Sequence, residues 1–243
     1  MISKRTIVNL VVVAVMAAIV IAAGVAGSRR AVDPVCSKIA IIIRDSTERQ
    51  YVTTWELQQQ LQKAGLWQVG EKLSNISCSQ IEQNLLTHPM LRQVECYELA
   101  RGEVRIAVKQ RQPVMLVAGD ERYYLDSDRK FMPVRPSVNA DVITVMGRIG
   151  RTQAQGEMYN FVTWLNGNRY WRKKIEYIRV INPKMVELRD STNHYTLVLG
   201  TLDNAEQRLG DLKKLYEEGF GKIGYPKYEQ IDLRYKNQII GRK

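Results

Sequence analysis

The segment from Ile7 to Gly27 carries no charged residue, and Asn9 is its only strongly polar member. An apolar helix of about 20 residues crosses a hydrocarbon core about 30 Å thick. The segment therefore reads as a transmembrane helix. The competing reading is a cleaved signal peptide, with small residues such as Gly24 and Ala26 at the cleavage site. Signal-peptide apolar cores run only about 7 to 15 residues, shorter than this one. Charge alone does not orient the span, because Lys4 and Arg5 on one side face Arg29 and Arg30 on the other. A very short tail is easily left in the cytoplasm, and both readings put residue 31 onward outside it. The expected organisation is a cytoplasmic tail over residues 1–6, a transmembrane helix over 7–27 and a linker over 28–36.

A formal net charge of +11 raises nucleic-acid binding as a function. Lys4, Arg5, Arg29 and Arg30 flank the apolar run, however, and the remaining cations are dispersed, with Arg172-Lys173-Lys174 the one short cluster. Neutralising a phosphate backbone needs a contiguous basic surface, so no nucleic-acid partner is expected. Three cysteines matter in an exported chain, which meets oxidising conditions. Cys36 falls near the membrane, Cys78 on a helix and Cys96 on a strand. An odd number leaves one unpaired. A Cys78–Cys96 pair stays open beside the reading of all three as small buried apolar side chains. Their spacing fits no zinc motif and only His88 and His194 accompany them, so neither a metal nor a cofactor is expected.

After the linker, Ser37 to Arg44 is a short and almost continuous apolar strand. Thr53-Thr54-Trp55-Glu56 has the form of a capping box, opening a helix through Leu57, Leu61 and Ala64 that Gly65 ends. Ser77-Cys78-Ser79-Gln80 opens a second helix, with Ile76 and Ile81 spaced as a hydrophobic staple and Pro89 past its end. Leu91 to Leu99 and Glu103 to Gln110 follow as strands. In the second of these Val104, Ile106 and Val108 alternate with Arg105, Ala107 and Lys109. The order β-α-α-β-β fits two helices packed on one face of a three-stranded sheet.

Pro113 then interrupts. It has no N–H to give a ladder, so a central strand cannot pass through it unbroken. Beyond it, Val114–Ala118, Tyr123–Asp126, Phe131–Val134 and Val142–Val145 read as short strands. Met158, Phe161, Val162 and Leu165 form a helical core stripe before Gly167. Ile175–Ile181 and Lys184–Arg189 are strands turned by Asn182-Pro183, and His194–Leu199 is another. Leu202, Ala205, Leu209, Leu212 and Leu215 or Tyr216 mark an amphipathic helix. The chain closes with Glu229–Tyr235 and Gln238–Gly241 as a terminal strand pair. The whole is an α+β chain whose larger part is a mostly antiparallel sheet with flanking helices, and a sheet of that kind leaves an exposed edge as a template for another chain.

Several motifs in this order resemble one family. A single amino-terminal span is followed by β-α-α-β-β, His88-Pro89 ends a helix, and a strand runs into Arg111-Gln112-Pro113-Val114. Tyr124-Leu125-Asp126 precedes Phe131, and Val145-Met146-Gly147, Leu197-Val198-Leu199-Gly200 and Ile231-Asp232-Leu233-Arg234-Tyr235 come after. The chain resembles the FtsQ/DivIB family of bacterial cell-division proteins, whose membrane-proximal module is a POTRA domain. The resemblance implies a POTRA domain over residues 37–112 and a β domain over 113–243. It makes Pro113 the hinge between them, with Lys109, Arg111 and the nearby exposed face as an inter-domain surface. It also implies that coiled-coil subunits of the FtsB and FtsL type dock by adding a strand to the closing β region. Ile231, Leu233, Arg234, Tyr235 and Ile239 are the candidate partner-binding residues. Two departures stand out. Gln110 replaces a common Glu, and Ser127-Asp128-Arg129-Lys130 lacks the usual turn glycine, which would leave a residue such as Asp128 in the left-handed conformation.

Catalytic patterns are missing. No nucleophile motif, phosphate loop or histidine pair occurs, and Asp126-Ser127-Asp128 lacks the later acidic ligands and the glycine of a calcium loop. The expectation is a non-enzyme: a scaffold of the division machinery, anchored in the cytoplasmic membrane at the septum, linking early to late division proteins on the outer side and controlling septal peptidoglycan synthesis. The alternatives are an envelope assembly factor using its POTRA module for strand addition, or an exported cell-wall enzyme.

Overall fold

The computed structural model describes residues 13–20, 34–45, 50–135 and 140–243, the side chain of Ile223 aside. Most of the expected membrane span, with the tail before it and residues 28–33 of the linker, lies outside these. Residues 13–20 are helical and exposed. No helix of the described residues is long and apolar enough to cross a membrane.

The small sheet has the order β1-β3-β2 and is built from β1 (Lys38–Ile43), β2 (Leu91–Leu99) and β3 (Glu103–Gln110). β1 runs parallel to β3, while β2 is antiparallel to it, with Ile41 opposite Ile106 and Cys96 opposite Ile106 on the other side. Helix α1 (Thr54–Lys63) opens with the full capping box, since Thr53 accepts from the Glu56 N–H and Glu56 accepts from the Thr53 N–H. Gly65 follows in the left-handed conformation. Helix α2 (Cys78–Leu86) has half of the expected box: Ser77 accepts from the Gln80 N–H. Ile76 and Ile81 are both buried, as a staple requires. Leu57 and Leu61 of α1, Ile81 and Leu85 of α2, and Val104, Ile106 and Val108 of β3 form the core of this unit.

The second unit is one nine-stranded sheet, in the order β12-β11-β10-β9-β8-β7-β4-β5-β6. Its strands are β4 (Pro113–Ala118), β5 (Arg122–Asp126), β6 (Phe131–Pro133), β7 (Ile143–Gly147), β8 (Ile175–Asn182), β9 (Met185–Asp190), β10 (Thr196–Gly200), β11 (Gln230–Asp232) and β12 (Ile240–Arg242). The sheet is mixed: β4 with β7, β7 with β8, and β10 with β11 pair in parallel. A kinked turn at Gly156 leads into α3 (Tyr159–Gly167), whose Phe161, Val162 and Leu165 are buried as the stripe requires. A further helix, α4 (Arg169–Lys174), was not expected. Asn168 caps it by accepting from the N–H groups of Tyr170 and Trp171, and Trp171 is its buried anchor. Helix α5 (Ala205–Lys214) buries Ala205, Leu209 and Leu212 and continues as a π-helical stretch over Leu215–Phe220, so that Tyr216 carries the stripe onward.

One apolar cluster joins the two sheets. Leu116, Tyr124 and Met132, on β4, β5 and β6, pack in the same cluster as Leu85, Met90 and Leu91. Their strands' opposite faces, carrying Met115, Val117, Tyr123 and Leu125, belong to the core under α3 and α5. The alternation of buried side chains along β4 and β5 thus serves both cores at once.

Candidate functional site

Two places gather polar side chains that the folded core does not need for packing. The first is the junction between the sheets. Pro113 is the first residue of β4, where its missing N–H costs nothing. Around it, Arg111 pairs with the buried Asp126 at 2.7 Å. Arg92 of β2 reaches Asp128 at 2.7 Å, and Arg135, just past β6, reaches Glu56 of α1 at 2.6 Å. Arg135 also lies 3.3 Å from Nε2 of His88, whose Nδ1 accepts from the Met90 N–H. Burial first, then the Arg135 charge, hold His88 below the usual histidine range. Three ion pairs and an apolar cluster therefore brace the Pro113 junction. The turn without a glycine is solved by Asp126, which accepts from the N–H groups of Asp128 and Lys130. The residue in the left-handed conformation is Arg129, not Asp128.

The second place is the carboxyl-terminal end of the large sheet. Among the described residues β12 pairs with β11 alone, Gly241 lying opposite Ile231, and no strand follows it in the sheet order. The opposite end of the sheet is β6, three residues long and closed by Pro133, which blunts that edge. β12, Ile240–Arg242, is equally short but contains no proline. The Tyr228 ring lies so close over Gly241 that a Cβ there would come within 2.5 Å of it, so the strand needs glycine at this point. Ile231 and Leu233 are each 1% exposed and belong to the core, where they fix β11 from beneath. Asp232 is buried, and Arg234 grips it through Nε at 2.9 Å and Nη2 at 2.6 Å, with Arg242 at 3.4 Å. The hydrogen bond from Arg234 is the main cause holding the Asp232 carboxyl below its usual range. Tyr235 is 46% exposed, with the Arg234 guanidinium 5.8 Å from its ring centre.

At the connection between β11 and β12, one residue short of β12 itself, lies a groove of about 690 Å³, lined by Asn204, Arg208, Leu233, Arg234, Tyr235 and Ile239 among others. Its far wall is set by Arg208, whose guanidinium binds the carbonyls of Leu199, Thr201 and Asp203 and so pins the β10–α5 loop. Of the residues singled out from the sequence, Leu233, Arg234, Tyr235 and Ile239 line this groove, Leu233 from a buried position, while Ile231 does not. Arg208 was missed; its only signal is an arginine one turn inside an amphipathic helix. An open strand edge is suited to holding an extended peptide.

A family model described as FtsQ/DivIB, C-terminal related, matches residues 112–242, more than half of the chain. The chain belongs to the FtsQ/DivIB family. A POTRA-like domain model matches residues 34–109, over the small sheet and its two helices. No curated protein matches the chain. FtsQ/DivIB membership makes this a cell-division protein of mixed α+β architecture, a POTRA-like domain followed by a large sheet.

Proposed function

We propose that this FtsQ/DivIB protein is a non-enzymatic scaffold of the division septum. Ile7 to Gly27 anchors it in the cytoplasmic membrane as a single span. The POTRA domain over 37–112 and the β domain over 113–243 act outside that membrane, with Arg111 and Pro113 at their boundary. Its partners are coiled-coil division proteins of the FtsB and FtsL type, which add a strand to β12 and seat side chains in the adjoining groove against Arg234, Tyr235 and Ile239. Through them the chain links early to late division proteins and controls septal peptidoglycan synthesis.

The observation that carries this reading is the asymmetry of the sheet's two edges. β6 ends in Pro133, whereas among the described residues no strand pairs with the outer side of β12, and a groove lies at the turn leading into it. Strand addition draws affinity from the backbone and specificity from alternate side chains. The test is capture of purified coiled-coil partner by the detergent-solubilised chain with and without residues Gln238 to Lys243. Loss of capture with circular dichroism unchanged supports the edge site, and unchanged affinity rules it out. A fluorescent fusion in dividing cells tests the setting: a midcell ring fits the scaffold, and an even envelope distribution favours an assembly factor.

A further inference from the structure

Outside the proposed docking site, the sulfurs of Cys78 and Cys96 lie 2.8 Å apart, the Cys96 thiol directed at the Cys78 sulfur. Cys78 is the first residue of α2 and Cys96 sits in mid-β2, so the contact spans helix and sheet. A second bond holds the same two elements together, the Cys96 N–H donating to the Glu82 carboxylate at 2.7 Å. The geometry points to a disulfide-forming pair: we propose that Cys78 and Cys96 are joined in the mature chain, while Cys36 stays a free buried thiol.

Two features favour a structural bridge over a redox-active pair. Reactive cysteines sit in electropositive surroundings that let their thiols ionise easily. Here burial raises both thiols, and Glu82 and Glu98 raise them further. The pair is nevertheless partly exposed, within reach of a small oxidant, whereas Cys36 is fully buried with its thiol turned to the Lys38 carbonyl. The co-reactant is a disulfide compound of an oxidising compartment. The Cys78 thiolate attacks its S–S bond, releasing one thiol and leaving a mixed disulfide. The Cys96 thiolate then attacks the Cys78 sulfur and expels the second thiol. One S–S bond forms, two protons leave the cysteines, and two electrons pass to the oxidant.

The closed loop contains all of α2 and the turn that positions His88 and Met90. Met90 accepts from the Arg111 N–H, and His88 meets Arg135, so the bridge would fix the POTRA side of the junction. This inference rests on the proposed export of residues 31 onward, because a reducing cytosol would keep the thiols free.

The test uses the purified full chain, equilibrated with a mixture of reduced and oxidised glutathione, quenched in acid, alkylated and mapped by mass spectrometry without reduction. The expected result is one Cys78–Cys96 bridge, alkylated Cys36, and a melting temperature higher than that of the reduced chain. The Cys78→Ser/Cys96→Ser variant should melt at one temperature in both buffers. Three free thiols under excess oxidised glutathione, or a bridge to Cys36, would overturn the pairing. Acid trapping of whole cells separates the two readings. If the purified chain forms the bridge but trapped cells yield free Cys78 and Cys96, the export reading fails while the pairing competence stands.

Discussion

Arg111, one of the two residues that carry the chain from one sheet to the other, places Nη1 2.7 Å from the carboxylate of Asp126 on β5. Asp126 is wholly buried and Arg111 is about one-fifth exposed, at 20%. The same carboxylate organises the β5–β6 turn through the N–H groups of Asp128 and Lys130. Removing the cation leaves a buried charge, which typically costs about 3–5 kcal/mol; partial exposure of the arginine lowers this to on the order of 2 kcal/mol. Arg111→Met should therefore lower stability in urea by about that amount. Adding Asp126→Asn should recover part of the loss. A single variant within about 0.5 kcal/mol of the parent would show that the pair is structurally idle.

Gln110 gives a second prediction at the same junction. Its side-chain carbonyl accepts from the N–H groups of Tyr51 and Val52, and its amide nitrogen lies 3.5 Å from Asp45. A glutamate there would keep the first two bonds and set two carboxylates face to face. Gln110→Glu is expected to destabilise the chain at neutral pH by about 1–3 kcal/mol, the range for a buried polar group facing the wrong partner. The double variant with Asp45→Asn should regain most of this. Equal losses in the single and double variants would refute the account.

His88 predicts a pH dependence. Burial and then Arg135 depress its ionisation in the folded state, with Glu56 opposing them. The unfolded chain takes up a proton near pH 6.5 and the folded chain only at lower pH. Protons therefore favour unfolding, so stability is full above about pH 6.5 and falls as the pH drops toward the folded value. His88→Asn should flatten this slope between pH 7 and 5 in urea titrations. An identical slope in the variant would assign the dependence to other groups.

Much of this was legible because it is local. Thr53 and Glu56 are three residues apart, Ile76 and Ile81 bracket one cap, and a proline states its own backbone constraint. What stayed hidden depends on chain segments far apart. The parallel pairings of β4 with β7 and β7 with β8 leave no trace in alternation, and neither does the contact between Arg135 and Glu56, separated by 79 positions. Helix α4 was missed for another reason. It is six residues long, three of them form the basic run Arg172-Lys173-Lys174, and Trp171 alone is buried. The run reads as a surface cluster, although the cap at Asn168 was present in the sequence. At the carboxyl terminus the motif Ile231 to Tyr235 was visible, but periodicity does not tell core from contact. Burial now divides it: Ile231 and Leu233 belong to the core, Leu233 also lining the groove, while Arg234 and Tyr235 stand exposed beside it.

That division makes the last prediction separable into folding and binding. Asp232 is buried beneath the edge, and its carboxyl is held below the usual range chiefly by the hydrogen bond from Arg234, so its contribution to stability is present above the unfolded value of about 3.9 and is lost as the pH falls through the folded value. Asp232→Asn should lower the urea midpoint at pH 7, and the difference from the parent should vanish in acid. Tyr235 is nearly half exposed, and its ring lies 5.8 Å from the Arg234 guanidinium. Tyr235→Ala should leave the urea midpoint in place and weaken capture of the proposed coiled-coil partner by on the order of 2 kcal/mol, the cost of an aromatic anchor at an interface centre. Measured together by chemical unfolding and by partner titration, the two variants should fall on different axes. If Tyr235→Ala bound the partner as tightly as the parent while Gln238–Lys243 deletion abolished capture, the edge would bind through its backbone alone and the groove would have no part in recognition.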